Sequence, residues 1–221
     1  MGQTLELTAG DGHSLGAYRA DPDGAPKGAI VVIQEIFGVN QHIRALADRY
    51  AADGYVAIAP ALYDRAERGV ELGYDDAARQ TGMAIRGKVE WDDVVKDIIA
   101  AREAVADAGK VGIVGYCYGG TVAWLGACKG GFDAAVCYYG GGIHEMLDLD
   151  AGCPVQMHFG EKDQGIPLEN VDKIRQAKAD ADIHIYDNAG HGFVCDERSS
   201  YDEAATNQAG ARSLDFFSNN L

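Results

Sequence analysis

Short apolar runs rich in β-branched residues alternate along this chain with longer stretches of helical periodicity. This rhythm is typical of parallel strands joined by crossover helices. Turn-forming Asp11-Gly12 between the first two runs predicts a hairpin at an antiparallel edge. The predicted strands are 4–7, 15–19, 29–34, 56–60, 110–114, 134–139, 154–159 and 183–186, and the predicted helices are 41–52, 75–86, 91–106, 118–129, 168–179 and 203–218. We therefore predict an α/β fold with a mostly parallel central sheet and helices on both faces.

The length and charge of the chain restrict its organisation and its partners. At 221 residues it fits one domain, residues 1–221. A net charge of −15 argues against a nucleic-acid partner, because binding a polyanion requires clustered Lys and Arg. The N-terminus has no signal-peptide pattern, and no apolar run could span a bilayer. We expect a cytoplasmic protein with a small-molecule substrate, no membrane or nucleic-acid partner, and an oligomeric state that the sequence does not determine.

Five cysteines form an odd set without a CxxC pair or a spacing that favours metal binding. A reduced, buried cysteine acting as a small apolar residue is the default interpretation of each. Cys117 differs, since it is central to Gly-x-Cys-x-Gly between a predicted strand and a predicted helix. This pattern is a nucleophile elbow with Cys in place of Ser, and the helix N-terminus favours the thiolate. The alternative is a glycine-rich turn with an incidental cysteine.

A base and an acid should accompany a cysteine nucleophile, and both have candidates at the ends of predicted strands. His191 lies in the loop after strand 183–186, and Asp163 follows strand 154–159, with Glu161 as a competing acid. The order nucleophile, acid, histidine is that of α/β-hydrolases. Among the other histidines, His42 is expected at the surface and His158 in the core. Each candidate alone could instead be structural.

Glu35 follows the apolar run 29–34, where this architecture forms part of the oxyanion hole. A carboxylate at that position should face the nucleophile. The alternative is a salt bridge with a nearby arginine.

These residues resemble the dienelactone hydrolase, or carboxymethylenebutenolidase, family over about residues 10–217. The resemblance rests on QEIFGVN at 34–40, GYCYGG at 115–120, YYG at 138–140 and AGHGF at 189–193. It implies an ester or lactone hydrolase that needs no metal or cofactor. It also implies a resting thiol that interacts with Glu35. The residues implied are a Cys117–His191–Asp163 triad, oxyanion donors on the backbone of Ile36 and Tyr118, and a substrate-binding Arg79.

One position departs from the family pattern. Relatives that cleave dienelactone have a second carboxylate-binding arginine four residues after the triad histidine, and this chain has Cys195 there. The departure predicts weaker capture of an anionic lactone than of a neutral ester, unless Arg198 takes the place of the missing arginine. A thioesterase or short-acyl carboxylesterase would use the same residues, and a non-catalytic binding protein or a cysteine peptidase are alternatives of other classes.

Overall fold

A computed structural model describes residues 2–221 of the chain. In this described part of the chain, one sheet of eight strands has the order β1-β2-β4-β3-β5-β6-β7-β8. The strands are β1 (Gln3–Thr8), β2 (Ser14–Ala20), β3 (Ala29–Ile33), β4 (Val56–Pro60), β5 (Val111–Tyr116), β6 (Ala134–Tyr138), β7 (Val155–Gly160) and β8 (Asp182–Tyr186). All eight predicted strands are present, with ends that differ by at most two residues.

The sheet is antiparallel at one edge and parallel elsewhere. The first hairpin pairs β1 with β2, and β2 is antiparallel to β4, while β3 to β8 pair in parallel. Every residue of β3, β5 and β6 is buried, as central strands covered on both faces require. The carboxyl ends of these strands therefore meet at one edge, where an open α/β sheet places its ligand site.

Within residues 2–221, six α-helices flank the sheet. They are α1 (Gln41–Ala52), α2 (Asp76–Arg86), α3 (Trp91–Glu103), α4 (Tyr118–Leu125), α5 (Leu168–Ala177) and α6 (Glu203–Asn220). Tyr50 of α1 contacts Phe217 of α6, and α3 packs against α4, so two helical layers enclose the sheet. The predicted mostly parallel α/β architecture is confirmed.

The helices α3, α4 and α5 end before their predicted C-termini. After α4 the chain continues in a π-helical turn over Gly126–Gly130. The carbonyl groups of this turn accept hydrogen bonds from amides five residues ahead instead of four. Hydrophobic periodicity does not distinguish such a turn from an α-helix. Within residues 2–221, no helix is long and apolar enough to cross a membrane.

Candidate active site

Cys117 lies between β5 and α4 with a backbone that non-glycine residues rarely adopt. Its φ and ψ are 57° and −116°, and its amide donates to the Tyr138 carbonyl at 3.0 Å. Such a conformation costs about 1–3 kcal/mol, so the surrounding packing must hold it. The turn presents the Cys117 side chain, which is partly exposed, at the carboxyl edge of the sheet.

The flanking glycines of the motif are required by close backbone contacts. A Cβ at Gly115 would lie 1.8 Å from the Gly119 carbonyl oxygen, and one at Gly119 would lie 2.5 Å from the Ile33 oxygen. No side chain can be accommodated at either position without moving a strand or the first turn of α4. These two glycines therefore have a steric role in the turn.

Cys117, His191 and Asp163 form a continuous hydrogen-bonded chain. His191 Nε2 lies 3.1 Å from Cys117 Sγ, and His191 Nδ1 lies 2.7 Å from Asp163 Oδ2. The other Asp163 oxygen accepts from the amides of Gly165 and Ile166 at 2.8 and 3.1 Å. This carboxylate is buried and fixed by the backbone, so it can orient the imidazole.

Glu161, the competing acid, lies away from this chain of contacts. Its carboxylate accepts from the Asn188 amide at 3.0 Å and is exposed to solvent. The structure thus brings Asp163, and not Glu161, to the imidazole.

The charge of His191 depends on its two partners. Burial by itself would lower the pKa of His191, but the Cys117 sulfur and the Asp163 carboxylate outweigh burial and raise it to about 10. The imidazole therefore retains its proton across the physiological pH range. His191 Nε2 lies 3.1 Å from the Cys117 sulfur, so a protonated imidazole could donate to a group bound there.

Two backbone N–H groups adjoin the candidate nucleophile without a protein acceptor. Within residues 2–221, the amides of Ile36 and Tyr118 donate to neither backbone nor side-chain atoms. Tyr118 is the first residue of α4, where helix geometry leaves the amide unpaired. Both predicted oxyanion donors are therefore free to bind a negatively charged oxygen.

Glu35 bonds an arginine rather than the thiol. Its Oε1 accepts from Arg198 at 3.2 Å, and its side chain is buried. The resting Glu35–Cys117 interaction implied by the family resemblance is therefore wrong for this structure, in which the sulfur faces His191. The ion pair that the sequence left as an alternative is the one observed, because the loop after β8 brings the Arg198 guanidinium over the end of β3.

A cavity of about 330 Å³ opens beside the sulfur. Two arginines that the sequence nominated, Arg79 from α2 and Arg198 from the loop after β8, line it together with apolar groups. Its lining residues are Ile36, Phe37, Arg79, Met83, Cys117, Gly165, His191 and Arg198. Sequence reasoning missed Phe37 and Met83, whose apolar character gave no sign that they face a pocket.

Cys195 and His42 lie behind the cavity wall. Cys195 is fully buried, so the position that departs from the family pattern does not line the pocket, whereas Arg198 does. The expected surface position of His42 is wrong, since only 7% of the residue is exposed. The loop after β8 covers the first turn of α1, and Asp196 lies 4.0 Å from His42 Nδ1. This long-range packing is invisible to local sequence patterns.

His158 has the structural role predicted for it. It is fully buried in β7, and its two ring nitrogens bond Tyr186 Oη at 2.8 Å and Gln156 Oε1 at 3.0 Å. Its hydrogen-bonding capacity is satisfied, so His158 needs no functional explanation.

Comparisons with known proteins agree on one family. The model of the dienelactone hydrolase family matches residues 15–221. A carboxymethylenebutenolidase of Pseudomonas putida is 35% identical over 222 residues, which cover 96% of this chain and 94% of the relative. A solved Klebsiella pneumoniae structure assigned as a dienelactone hydrolase is 32% identical with a TM-score of 0.82, and it covers 97% of this chain and 98% of that chain. A dienelactone hydrolase-like promiscuous phosphotriesterase from metagenomic libraries is 22% identical with a TM-score of 0.78, covers 99% and 98% of the two chains, and shares the fold.

Proposed function

Because the chain belongs to the dienelactone hydrolase family and is a hydrolase of esters or lactones, we propose that Cys117 is its nucleophile, in a triad with His191 and Asp163. One observation carries the proposal. The imidazole bonds the Cys117 sulfur through Nε2 and the Asp163 carboxylate through Nδ1, at 3.1 and 2.7 Å. That arrangement activates a nucleophile and fixes the tautomer of its base.

The first half of the reaction forms a thioester. The Cys117 sulfur attacks the substrate carbonyl, and the carbonyl oxygen becomes an oxyanion that the Ile36 and Tyr118 amides stabilise. Each such donor is worth roughly 10² to 10³ in rate. The oxyanion then collapses, the bond from the carbonyl carbon to the ring or alkoxy oxygen breaks, and His191 gives its proton to that oxygen. An ester releases its alcohol here, whereas an opened lactone keeps the hydroxyl on the acyl chain.

The second half hydrolyses the acyl-cysteine. Neutral His191 takes a proton from water, whose oxygen attacks the thioester carbonyl, and the sulfur leaves as thiolate. The products are the free enzyme and a carboxylic acid. Asp163 stays ionised throughout and stabilises the imidazolium that forms in each half.

The cavity indicates a substrate that carries a carboxylate. Arg79 and Arg198 bring two positive charges to its wall, and Glu35 compensates one of them through its bond to Arg198. We infer that Arg198 fulfils the role for which the family pattern has an arginine at position 195. The Pseudomonas putida relative is named after a carboxymethylenebutenolide, which carries a carboxylate on a lactone. A small thioester would react through the same groups.

Substitution Cys117→Ala tests the nucleophile. We expect turnover of a small lactone or aryl ester to fall by at least about 10³-fold, because the members of a triad act as a unit. Cys128→Ala is the matched control, since Cys128 is also a free, partly exposed cysteine but lies in the turn after α4. Thermal melts of both variants should match the wild type. A Cys117→Ala protein that keeps near-normal turnover would show that another group attacks the substrate.

A further inference from the structure

Three metal-ligating side chains meet in the interior beside the proposed active site. They are Glu35 after β3, His42 in the first turn of α1 and Cys195 in the loop before α6. One ligand atom from each lies within 4.8 Å of the other two, and all three residues are buried. Glu35 and His42 lie close together along the chain, and the tertiary fold brings Cys195 to them from the loop before α6.

Two polar atoms of this cluster have no partner among residues 2–221. They are Glu35 Oε2 and His42 Nε2, both shielded from solvent. Native proteins rarely bury such atoms without compensation, and an ion is one recognised explanation for an exception. The unpartnered atoms belong to two of the three side chains that converge.

We propose that Glu35 Oε2, His42 Nε2 and Cys195 Sγ bind a Zn²⁺ ion, with water as a fourth ligand. A carboxylate oxygen, an imidazole nitrogen and a thiolate sulfur are the three ligand types that zinc takes in proteins. Zinc bonds of about 2.0 to 2.3 Å in a tetrahedral site separate ligand atoms by about 3.3 to 3.8 Å. Shifts of about an ångström in the side chains would close the present cluster to that size.

The surrounding charges favour a cation. The carboxylates of Glu35, Asp196 and Glu197 place negative charge near His42, and the guanidinium of Arg49 places one positive charge there. Arg198 adds one positive charge but bonds Glu35 Oε1, which leaves Oε2 free for the ion. The net charge of −15 adds to the attraction at long range.

The geometry assigns one nitrogen of His42 to the ion. His42 Nδ1 faces the Asp196 carboxylate at 4.0 Å, whereas Nε2 is buried without a partner. Cys195 must bind as a thiolate, so the ion displaces the thiol proton, as zinc does at other cysteine ligands.

A cleft on the side of α1 reaches His42, one of the three side chains of the cluster. A cleft of about 330 Å³ is lined by His42 and Asp196, together with residues of α1 and α6. This cleft is separate from the cavity beside Cys117, whose lining shares none of its residues. An ion can therefore reach His42 without crossing the substrate pocket.

Zinc titration in a Cys117→Ala background tests the proposal. This background is needed because the Cys117–His191 pair is itself a possible zinc-binding pair. Apoprotein prepared with a chelator is titrated with Zn²⁺ by calorimetry, and bound metal is counted after gel filtration. We expect one zinc per chain and a higher melting temperature in the presence of zinc.

Three ligand variants and two controls locate the ion. Glu35→Gln, His42→Gln and Cys195→Ser should each weaken zinc binding by more than the 10- to 100-fold that loss of an orienting partner costs. His13→Gln and Cys128→Ser should bind zinc as the background does, although His13 Nε2 is also buried and unpartnered. Melts without zinc check that each variant folds.

Two outcomes would overturn the proposal. One is the absence of stoichiometric zinc in the folded background protein, and the other is binding that survives Cys195→Ser and His42→Gln together. Because the readout is bound metal, it is independent of the triad. Failure of the triad assignment would instead appear as hydrolysis that persists in Cys117→Ala.

Discussion

At the scale of single residues, the proposed site depends on backbone contacts that permit only certain side chains. Cys117 keeps a positive φ because its amide bonds Tyr138 and because Gly115 and Gly119 allow neighbouring backbone within van der Waals contact. Asp163 is held in the same way by two amides of its own loop. The groups that we propose to react are thus oriented before substrate arrives, which is the condition for efficient electrostatic stabilisation.

The two neighbouring acids give a sharp residue-level test. We expect Asp163→Asn to lower kcat/KM by about 10² to 10⁴, since the amide cannot stabilise the imidazolium and favours the wrong tautomer. Glu161→Gln, two residues away, should change kcat/KM less than about threefold, because Glu161 bonds only the exposed Asn188 amide. Steady-state kinetics on one ester compares the two variants. Greater impairment in Glu161→Gln would make our choice of acid wrong.

The raised pKa of His191 predicts a pH-dependent stability. The folded value is about 10 against an ordinary 6.5, so the stabilisation is fully present below about pH 6.5 and is lost as pH rises toward 10. We expect the free energy of unfolding to fall more steeply between pH 7 and 10 in the wild type than in His191→Gln. Urea denaturation at several pH values measures both slopes. Parallel slopes in the two proteins would contradict the assignment of the charge to His191.

At the scale of elements, α2 forms one wall of the cavity by packing tightly on the loop after β3. Gly82 allows this contact, because a Cβ there would lie 2.1 Å from the Ile36 carbonyl oxygen. The same helix carries Arg79 and Met83 to the pocket.

A single methyl group should therefore disturb the site through α2. Gly82→Ala must displace the helix or the Ile36 peptide, and we expect a 10- to 100-fold loss of kcat with a small change in melting temperature, since misplacement by about 1 Å can cost 10²-fold. Gly87→Ala is the matched control, because its added Cβ makes only ordinary contacts of 3.6 Å. Equal kcat values in the two variants would show that the Ile36 amide does not depend on this packing.

At the scale of the whole molecule, the net charge opposes the local charge of the cavity. The chain carries −15 overall, whereas two arginines line the pocket. Repulsion of an anionic substrate acts over distance and is screened by salt, with a Debye length of about 30 Å at 0.01 M and about 8 Å at 0.15 M. Contacts inside the pocket are screened much less.

Salt should therefore favour an anionic substrate over a neutral one. We expect the ratio of kcat/KM for a carboxylate-bearing lactone to that for its methyl ester to rise between 0.01 and 0.15 M salt. Arg198→Ala should lower the ratio by roughly ten- to a hundredfold, because a charged hydrogen bond is worth about 1.5 to 3 kcal/mol. A ratio that falls with salt would mean that the protein as a whole attracts the anion. If Arg198→Ala leaves the ratio unchanged, Arg198 does not replace the missing family arginine. The prediction that Cys195 weakens capture of an anionic lactone would then stand.

The sequence alone determined the features that depend on local pattern. Strand and helix positions follow from hydrophobic periodicity, and the elbow follows from two glycines around Cys117, so both were predicted within a few residues. The order Cys117, Asp163, His191 also nominated the side chains that converge, because consecutive parallel strands end at one edge of the sheet. These inferences need no knowledge of contacts between distant segments.

Only the tertiary structure decided which groups those side chains meet. The loop after β8 folds back over β3 and α1, and this packing pairs Arg198 with Glu35, buries His42 and removes Cys195 from the pocket. No local pattern encodes these contacts, since each joins segments more than 150 residues apart through a loop without periodicity. The physical reason is that burial and charge pairing are properties of the assembled fold, whereas periodicity and turn chemistry belong to the chain itself.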